Sequence, residues 1–451
     1  MRILARNLAL TFVCVISLTC THAKIGYFWH ITDFHYDPLY TSQGDNRRNC
    51  RRGDERGSSG HHRALGRFGD YFCDSSLELI ESAARYMRTR HSENVEFVLW
   101  TGDIISGSYG RKGVDRYQAI RNMTDLLSRT FSSHFVFPVL GHLDPAPSKN
   151  LTELWQLWLP LEALQTFQFG GYYTIEQKQS KLRIVALNTN LFGVRESTSV
   201  QAKRQWEFLN AVLEKATTNK EMVYIVGHAV PGSYETSIDA NTKYLEMVRH
   251  HAKIIAGQFF GHLHMDTFRV IYDHDQPVSW ALLAPSVSPH HDGGKSSNPG
   301  LRLYKFETNT GKVLDYTQYY LDLAAANRDS AEWTTEYNLT QYYGLHEVSA
   351  LSLHNLADKL QIGTPQETNM FQKYIRAYSV RYESDPCDGA CSHQHYCAIT
   401  SMEYLSYQNC VEAAASALAA AGDASLILIA KSLLVLSLMI VIRPCRLNIL
   451  F

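Results

Sequence analysis

Five short apolar runs in this chain each end in side chains able to bind a metal, and that repetition constrains the fold more than any bulk property. Residues 25–31 run into Thr32-Asp33-Phe34-His35, 97–100 into Thr101-Gly102-Asp103, and 135–140 into Gly141-His142-Leu143-Asp144. Residues 221–226 run into Gly227-His228, and 254–260 into Gly261-His262-Leu263-His264. Aromatic and β-branched runs of this length read as buried strands. Side chains at i and i+2 of a strand share a face, so Asp33 is expected beside His35 and His262 beside His264. Any one such pair is weak evidence in a chain with 20 histidines. Five strand ends that each carry ligand-type residues are not.

Between the runs lie helix-period patterns at 75–90, where Leu77, Ile80 and Ala84 share a face, at 117–131 and at 202–216. Strands alternating with helices predict an α/β domain whose site lies off the strand ends. Further strands are expected at 182–188, 278–283 and 300–306, the last two separated by a turn at 296–300. From about residue 321 the texture shifts to helix formers and aromatics, among them Trp333, Tyr337, Tyr342 and Tyr343, which read as core. The expected division is a leader at 1–23, the α/β domain at 24–320, a C-terminal helical subdomain at 321–411 and a tail at 412–451.

With 43 basic and 44 acidic residues the net charge is −1, which argues against a nucleic-acid polymer as partner. Arg2 and Arg6, an apolar stretch and Thr21-His22-Ala23 describe a secretory signal peptide. In an oxidising lumen Cys50, Cys73, Cys387, Cys391, Cys397 and Cys410 form an even set. Proximity suggests Cys50–Cys73 and two bridges within the C-terminal four, although six cysteines allow 15 connectivities. A zinc site from Cys387, Cys391 and Cys397 with His393 and His395 is the competing reading. Asn122, Asn150 and Asn338 open glycosylation sequons and are expected at the surface.

The tail combines small residues at 413–424 with an apolar run at 425–442 whose only charge is Lys431. A spacer of the usual ~8–12 residues fits a glycolipid-anchor signal attached at Ser416. The alternative is a membrane span, since Arg443 and Arg446 follow, but 18 residues reach only about 27 Å. The expected location is the secretory pathway and the cell surface, tethered through this tail. Release from intact cells by a phosphatidylinositol-specific phospholipase separates the two readings.

Asp33, His35, Asp103, His142, His228, His262 and His264 together offer two carboxylates and five imidazoles. Such a set suits zinc. Seven ligands exceed one tetrahedral site, so two metals sharing a carboxylate is the simplest arrangement, and two-metal sites serve in-line attack on phosphorus. Asp-x-His, Gly-Asp, Gly-Asn-His-Asp, Gly-His and Gly-His-x-His in that order are the signature of calcineurin-like metallophosphoesterases, which this chain resembles. Residues 27–35, 68–75, 261–268 and Asn298-Pro-Gly300 further resemble the acid sphingomyelinase-like phosphodiesterases, and the tail resembles the membrane-anchored b paralogue.

The resemblance implies an α-β-β-α fold of two packed sheets flanked by helices and two Zn²⁺. One zinc would be held by Asp33, His35, Asp103 and His264, and a second by Asp103, His228 and His262. It also implies a phosphodiesterase or phosphohydrolase acting by two-metal hydroxide attack on phosphate esters or anhydrides of nucleotides or lipid head groups. One box departs from the pattern. His142 stands where the family has a ligand Asn, and Leu143 stands where it has the general-acid His. His142 is expected to ligate after a loop shift or to supply the proton, not both. A catalytically impaired surface protein that binds lipid, nucleotide or a protein partner is the alternative. Loops 44–69 and 286–298 are expected to border substrate, with His290 and His291 as candidate contacts, although exposed loop histidines are the safer reading.

Overall fold

The computed structural model describes residues 24–52, 64–90, 94–107, 115–177, 181–233, 235–291, 296–362, 364–382 and 386–413. The leader, Ser416 and the apolar tail lie outside them. No helix among the described residues is long and apolar enough to cross a membrane.

Among the described residues twelve strands form two six-stranded sheets. They are β1 (Ile25–Ile31), β2 (Val95–Trp100), β3 (Phe135–Pro138), β4 (Tyr173–Gln177), β5 (Leu182–Ala186), β6 (Met222–Val226), β7 (Ile255–Phe260), β8 (Thr267–Asp273), β9 (Gln276–Leu283), β10 (Gly300–Glu307), β11 (Val313–Leu321) and β12 (Trp333–Asn338). The first sheet has the order β12-β11-β10-β1-β2-β3, the second β4-β5-β6-β7-β9-β8. Within each sheet the strands that carry the sequence motifs run parallel: β1 with β2 and β2 with β3, β6 with β7. Parallel neighbours deliver all their C-terminal ends to one edge, which places the five motifs together.

The sheets pack face to face through aromatics. Phe28 of β1 stacks between Phe97 and Tyr304 at 4.8 and 4.7 Å, and Phe259 and Tyr224 of the other sheet close on it at 5.3 and 5.6 Å. Ser76 caps the helix Leu77–Thr89 and Asp115 caps Arg116–Thr130, both accepting backbone N–H groups of the first turn. The helices Val200–Asn219 and Ile238–His250 bury Leu209, Leu213 and Tyr244 with Val185, Ile225 and Phe260 of the second sheet. The result is the expected four-layer α-β-β-α arrangement.

Antiparallel additions escape the sequence reading. β8 joins β9 through a turn in which His274 takes φ 53°, and β11 with β12 extends the first sheet past residue 320. β12 is edge-like, with Trp333 and Tyr337 buried between exposed Thr334 and Thr335, so its apolar period is masked by the surrounding helix formers. Beyond it the described elements are helices, Leu339–Tyr343, Ala350–Asp358, Pro365–Tyr378 and Gly389–Thr400, with helix again at 404–413. Disulfides join Cys50–Cys73, Cys387–Cys391 and Cys397–Cys410. His393 and His395 lie beside the last two, but with their sulfurs paired the cysteines offer no thiolate and the zinc reading fails there.

Candidate metal centre

The motifs sit one step beyond the strands, and that changes their geometry. Asp33, His35, Asp103, His262 and His264 take φ of 53°, 44°, 47°, 68° and 58°. The left-handed region is sparsely used by such residues and clusters at functional sites. The i, i+2 expectation for a flat strand therefore does not hold for His262 and His264. A tight turn, with Leu263 N–H donating to Gly261 O at 2.8 Å, sends the two rings to different clusters.

Main-chain bonds stitch the strand-end loops side by side. Asp33 N–H donates to Gly102 O, His35 N–H to Asp103 O and Gly261 N–H to His228 O, at 3.0, 3.0 and 2.9 Å. Val287 and Ser288 N–H donate to Thr32 and Asp33 O, tying the two sheets together at 3.1 and 3.0 Å. Such close passage requires glycine. A Cβ on Gly102, itself at φ 90°, would meet Gly141 N at 2.4 Å, and one on Gly141 would meet Asp103 Oδ1 at 2.1 Å. Gly102 thus admits a neighbouring loop.

Two clusters of ligand-type atoms result, each lying within 4.8 Å: Asp33, His35 and His264, and Asp103, His142, His228 and His262. They touch, since Asp103 Oδ2 is 3.6 Å from His35 Nε2, 3.3 Å from His228 Nε2 and 2.9 Å from His142 Nδ1. Asp33 Oδ1 lies 3.3 Å from His264 Nε2 and 3.7 Å from His35 Nε2. All seven sequence-selected residues are brought together. The Gly141-His142-Leu143-Asp144 box reaches the centre through His142, whose Nδ1 is 3.3 Å from His228 Nε2 and whose side chain is 37% exposed.

A test of whether metal fits comes from the polar atoms left over. Asp33 Oδ1, Asp103 Oδ2, His35 Nε2 and His262 Nδ1 are buried without a hydrogen bond. Buried polar atoms are ordinarily satisfied. These four belong to the two clusters, and each of the same carboxylates has its other oxygen engaged. Asp33 Oδ2 accepts from Thr32 Oγ1 and His262 N, and Asp103 Oδ1 from Leu143 N. The donor set, imidazole with carboxylate, suits a divalent cation such as zinc.

Outward ring nitrogens are also fixed. His228 Nδ1 is 2.7 Å from Thr101 O and His264 Nδ1 is 2.9 Å from His290 O, so both carry the hydrogen there and turn Nε2 inward. His35 Nδ1 faces Asp74 at 3.8 Å, and Asp74 is held by Asn49 and Ser106. The stapled loop therefore supports the metal centre from behind through Asn49, next to Cys50. Asp74 falls within the 68–75 stretch of the resemblance, but no ligand-type pattern singles it or Asn49 out, because each acts only through the fold. His291 is buried with its ring 4.4 Å from His264, and His290 contributes its carbonyl, so the histidines expected to be exposed or to touch substrate instead back a ligand.

Burial alone would raise the carboxyls of Asp33 and Asp103, but the imidazoles around them outweigh it and hold both well below the usual range. Burial likewise opposes charge on His35 and His228, yet their carboxylate neighbours lift them to about 9 and about 10. The centre thus demands positive charge, as protons or as metal, and metal uptake releases protons. Asp144 is not a ligand. It accepts from Gly141 and Ile104 N–H at 2.8 and 2.9 Å, and burial with the Asp103 charge raises it to about 6.

Of the sequon asparagines, Asn150 is exposed, whereas Asn122 and Asn338 are half-buried and hydrogen-bonded to Gln118 and Thr317.

Strand ends carrying a mixed carboxylate and imidazole double cluster between two packed sheets define a metal-dependent phosphoesterase. The chain belongs to the calcineurin-like phosphoesterase family, whose model matches residues 26–266, followed at 276–417 by the acid sphingomyelin phosphodiesterase C-terminal region. It is 35% identical over 423 residues to the cyclic GMP-AMP phosphodiesterase SMPDL3A of Bos taurus, spanning 86% of this chain and 91% of the relative. It is 34% identical to the acid sphingomyelinase-like phosphodiesterase 3b of Homo sapiens, spanning 87% and 91%. Sphingomyelinase phosphodiesterase C of Dictyostelium discoideum is 31% identical over 89% and 96%.

Proposed function

We propose that this chain is a secreted or cell-surface zinc-dependent phosphodiesterase or phosphohydrolase acting on phosphate esters or anhydrides of nucleotides or lipid head groups. The observation that carries the reading is the set of orphaned ligand atoms from three strand ends, on Asp33, His35, Asp103 and His262, within two touching clusters drawn from all five. Asp33, His35, His264 and Asp103 would hold one zinc, and Asp103, His142, His228 and His262 a second. Zinc bound there supplies Lewis-acid polarisation of a phosphoryl oxygen and a lowered pKa for an attacking water.

The protein's own contribution is uneven. Thr32 and the His262 N–H orient Asp33, Leu143 N–H orients Asp103, and the outward bonds of His228 and His264 aim their inner nitrogens. At the leaving-group side there is no donor at position 143. Leu143 is half-buried, near enough to Gly107 that a Cβ there would meet it at 3.2 Å, and Arg116 holds its carbonyl. A positioned acid contributes roughly 10²–10⁴ in rate. The chain is therefore suited to leaving groups that depart as stable anions, such as phosphate or pyrophosphate from a nucleotide.

The zinc-loaded protein should carry two metal equivalents and turn over an activated aryl phosphodiester much faster than an unactivated alkyl one. Leu143→His should raise the unactivated rate by up to roughly 10²-fold and leave the aryl rate nearly unchanged. Equal effects on both substrates would show that position 143 does not report on proton donation. Leu143 is also what favours the second reading, a surface protein that binds without turnover. Two bound zincs with neither substrate cleaved would establish it.

A further inference from the structure

His262 differs from the other buried ligands in which nitrogen it offers. Its Nδ1 is the buried atom without a hydrogen bond, while Nε2 points outward and lies 3.2 Å from Glu235 Oε2. His228 and His264 have the opposite arrangement, each with Nδ1 held outward by a main-chain carbonyl. A carboxylate on the outer nitrogen of a metal-ligating histidine fixes the tautomer and raises the basicity of the inner nitrogen.

We infer that Glu235 is a positioning residue for the second metal site, holding His262 with its proton on Nε2 and its Nδ1 lone pair aimed at the cluster of Asp103, His142 and His228. The inference rests on the two-metal reading above. Glu235 is placed for this by its loop. Thr236 N–H donates to Ser233 O at 3.0 Å, and Ser237 N–H to Phe192 O at 2.9 Å, so a turn and the start of the helix Ile238–His250 bracket it. Upstream, Gly232 sits at φ 97° with so little room that a Cβ would meet Met402 O at 2.2 Å, and Asn241 Nδ2 donates to the same carbonyl at 3.1 Å. Met402 lies between the bridged Cys397 and Cys410. The C-terminal region therefore reaches the metal centre through this loop. The other outward supports are a carbonyl or, for His35, the buried Asp74, whereas the Glu235 side chain is 39% exposed. Substitution there leaves the core intact.

The full chain, stripped and titrated with zinc against a chelator of known affinity, tests this directly. Wild type should take up two equivalents. In Glu235→Ala one equivalent should bind as in wild type and the other roughly 10–100-fold more weakly. Glu235→Gln keeps an acceptor without the charge and should fall between the two. The melting temperature of the metal-free variants should match wild type, separating metal positioning from folding. If both equivalents in Glu235→Ala bind as tightly as in wild type, the inference is overturned while the two-metal reading stands. If wild type itself binds fewer than two, both fall.

Discussion

Of the buried ionic clusters among the described residues, the one at the strand ends and the one around Asp266 are built on opposite plans. At the strand ends, carboxylates and imidazoles leave their inner atoms unbonded and aimed at one another. Deeper toward the C-terminal region, Asp266 meets the Arg302 guanidinium at 2.5 Å and accepts from the Tyr337 and Tyr316 hydroxyls. Arg302 also donates to Gln318 and Leu283 O at 2.9 and 3.0 Å, and lies 4.0 Å over the Tyr316 ring. In the second cluster opposite charges answer each other inside the protein. In the first the answer has to come from outside. The contrast separates a structural use of buried charge from a functional one, and each plan predicts a different consequence of removing one member.

The largest effect is expected at the open cluster. Asp103→Asn preserves volume and the acceptor for Leu143 N–H but removes the charge shared between both groups of ligands. Turnover should fall on the order of 10³-fold or more, with both metals lost, since the shared carboxylate serves each site. Folding of the metal-free protein should weaken at neutral pH, because the imidazoles around Asp103 stabilise its carboxylate in the folded state. Metal analysis decides the point: a variant that still retains two tightly bound equivalents would deny Asp103 its bridging place.

The closed cluster should respond the other way round. Arg302→Met leaves Asp266 buried without its counter-ion, a change that costs about 3–5 kcal/mol. Denaturant unfolding should register that loss while zinc uptake by the folded fraction stays at the wild-type stoichiometry. A destabilisation well under 1 kcal/mol, or a loss of metal as great as in Asp103→Asn, would dissolve the distinction between the two clusters.

The open cluster was legible in the sequence and the closed one was not, for a physical reason. The candidate metal ligands sit at the ends of parallel strands, so a local pattern of apolar run, glycine and ligand-type residue repeats wherever the site is approached, and Asp33, Asp103, His142, His228 and His264 could be picked one by one. Asp266, Arg302, Tyr316 and Tyr337 come from β10, β11, β12 and the residue before β8, and no local pattern marks a pairing made only by sheet register. The same limit hid Glu235, Asp74 and Asn49, each of which acts through a neighbour across a loop. It also hid β12, since an edge strand with two buried positions resembles the helical sequence around it. The flat-strand rule placed the right histidines but misassigned their direction, because their backbone is left-handed at His262 and His264.

The smallest effect probes a carboxylate beside the closed cluster that no cation answers directly. Glu336 of β12 has its Oε2 buried without a hydrogen bond, and burial first, then the nearby Asp266 charge, raises its carboxyl well above the ordinary 4.5, against the pull of Arg381, Arg302 and Arg376. An acid raised in the folded state binds more protons folded than unfolded. Its protonated form is accommodated fully below about pH 4.5, and the stability it contributes there is lost as pH rises through the folded value. Glu336→Gln mimics the protonated form. It should leave the melting temperature unchanged near pH 4 and raise it at pH 7.5, flattening the pH dependence of stability without altering zinc uptake. Melting curves of both proteins across that range carry the test. If the variant is destabilised equally at both ends, Glu336 is held by contacts its charge does not oppose, and the second cluster is closed throughout.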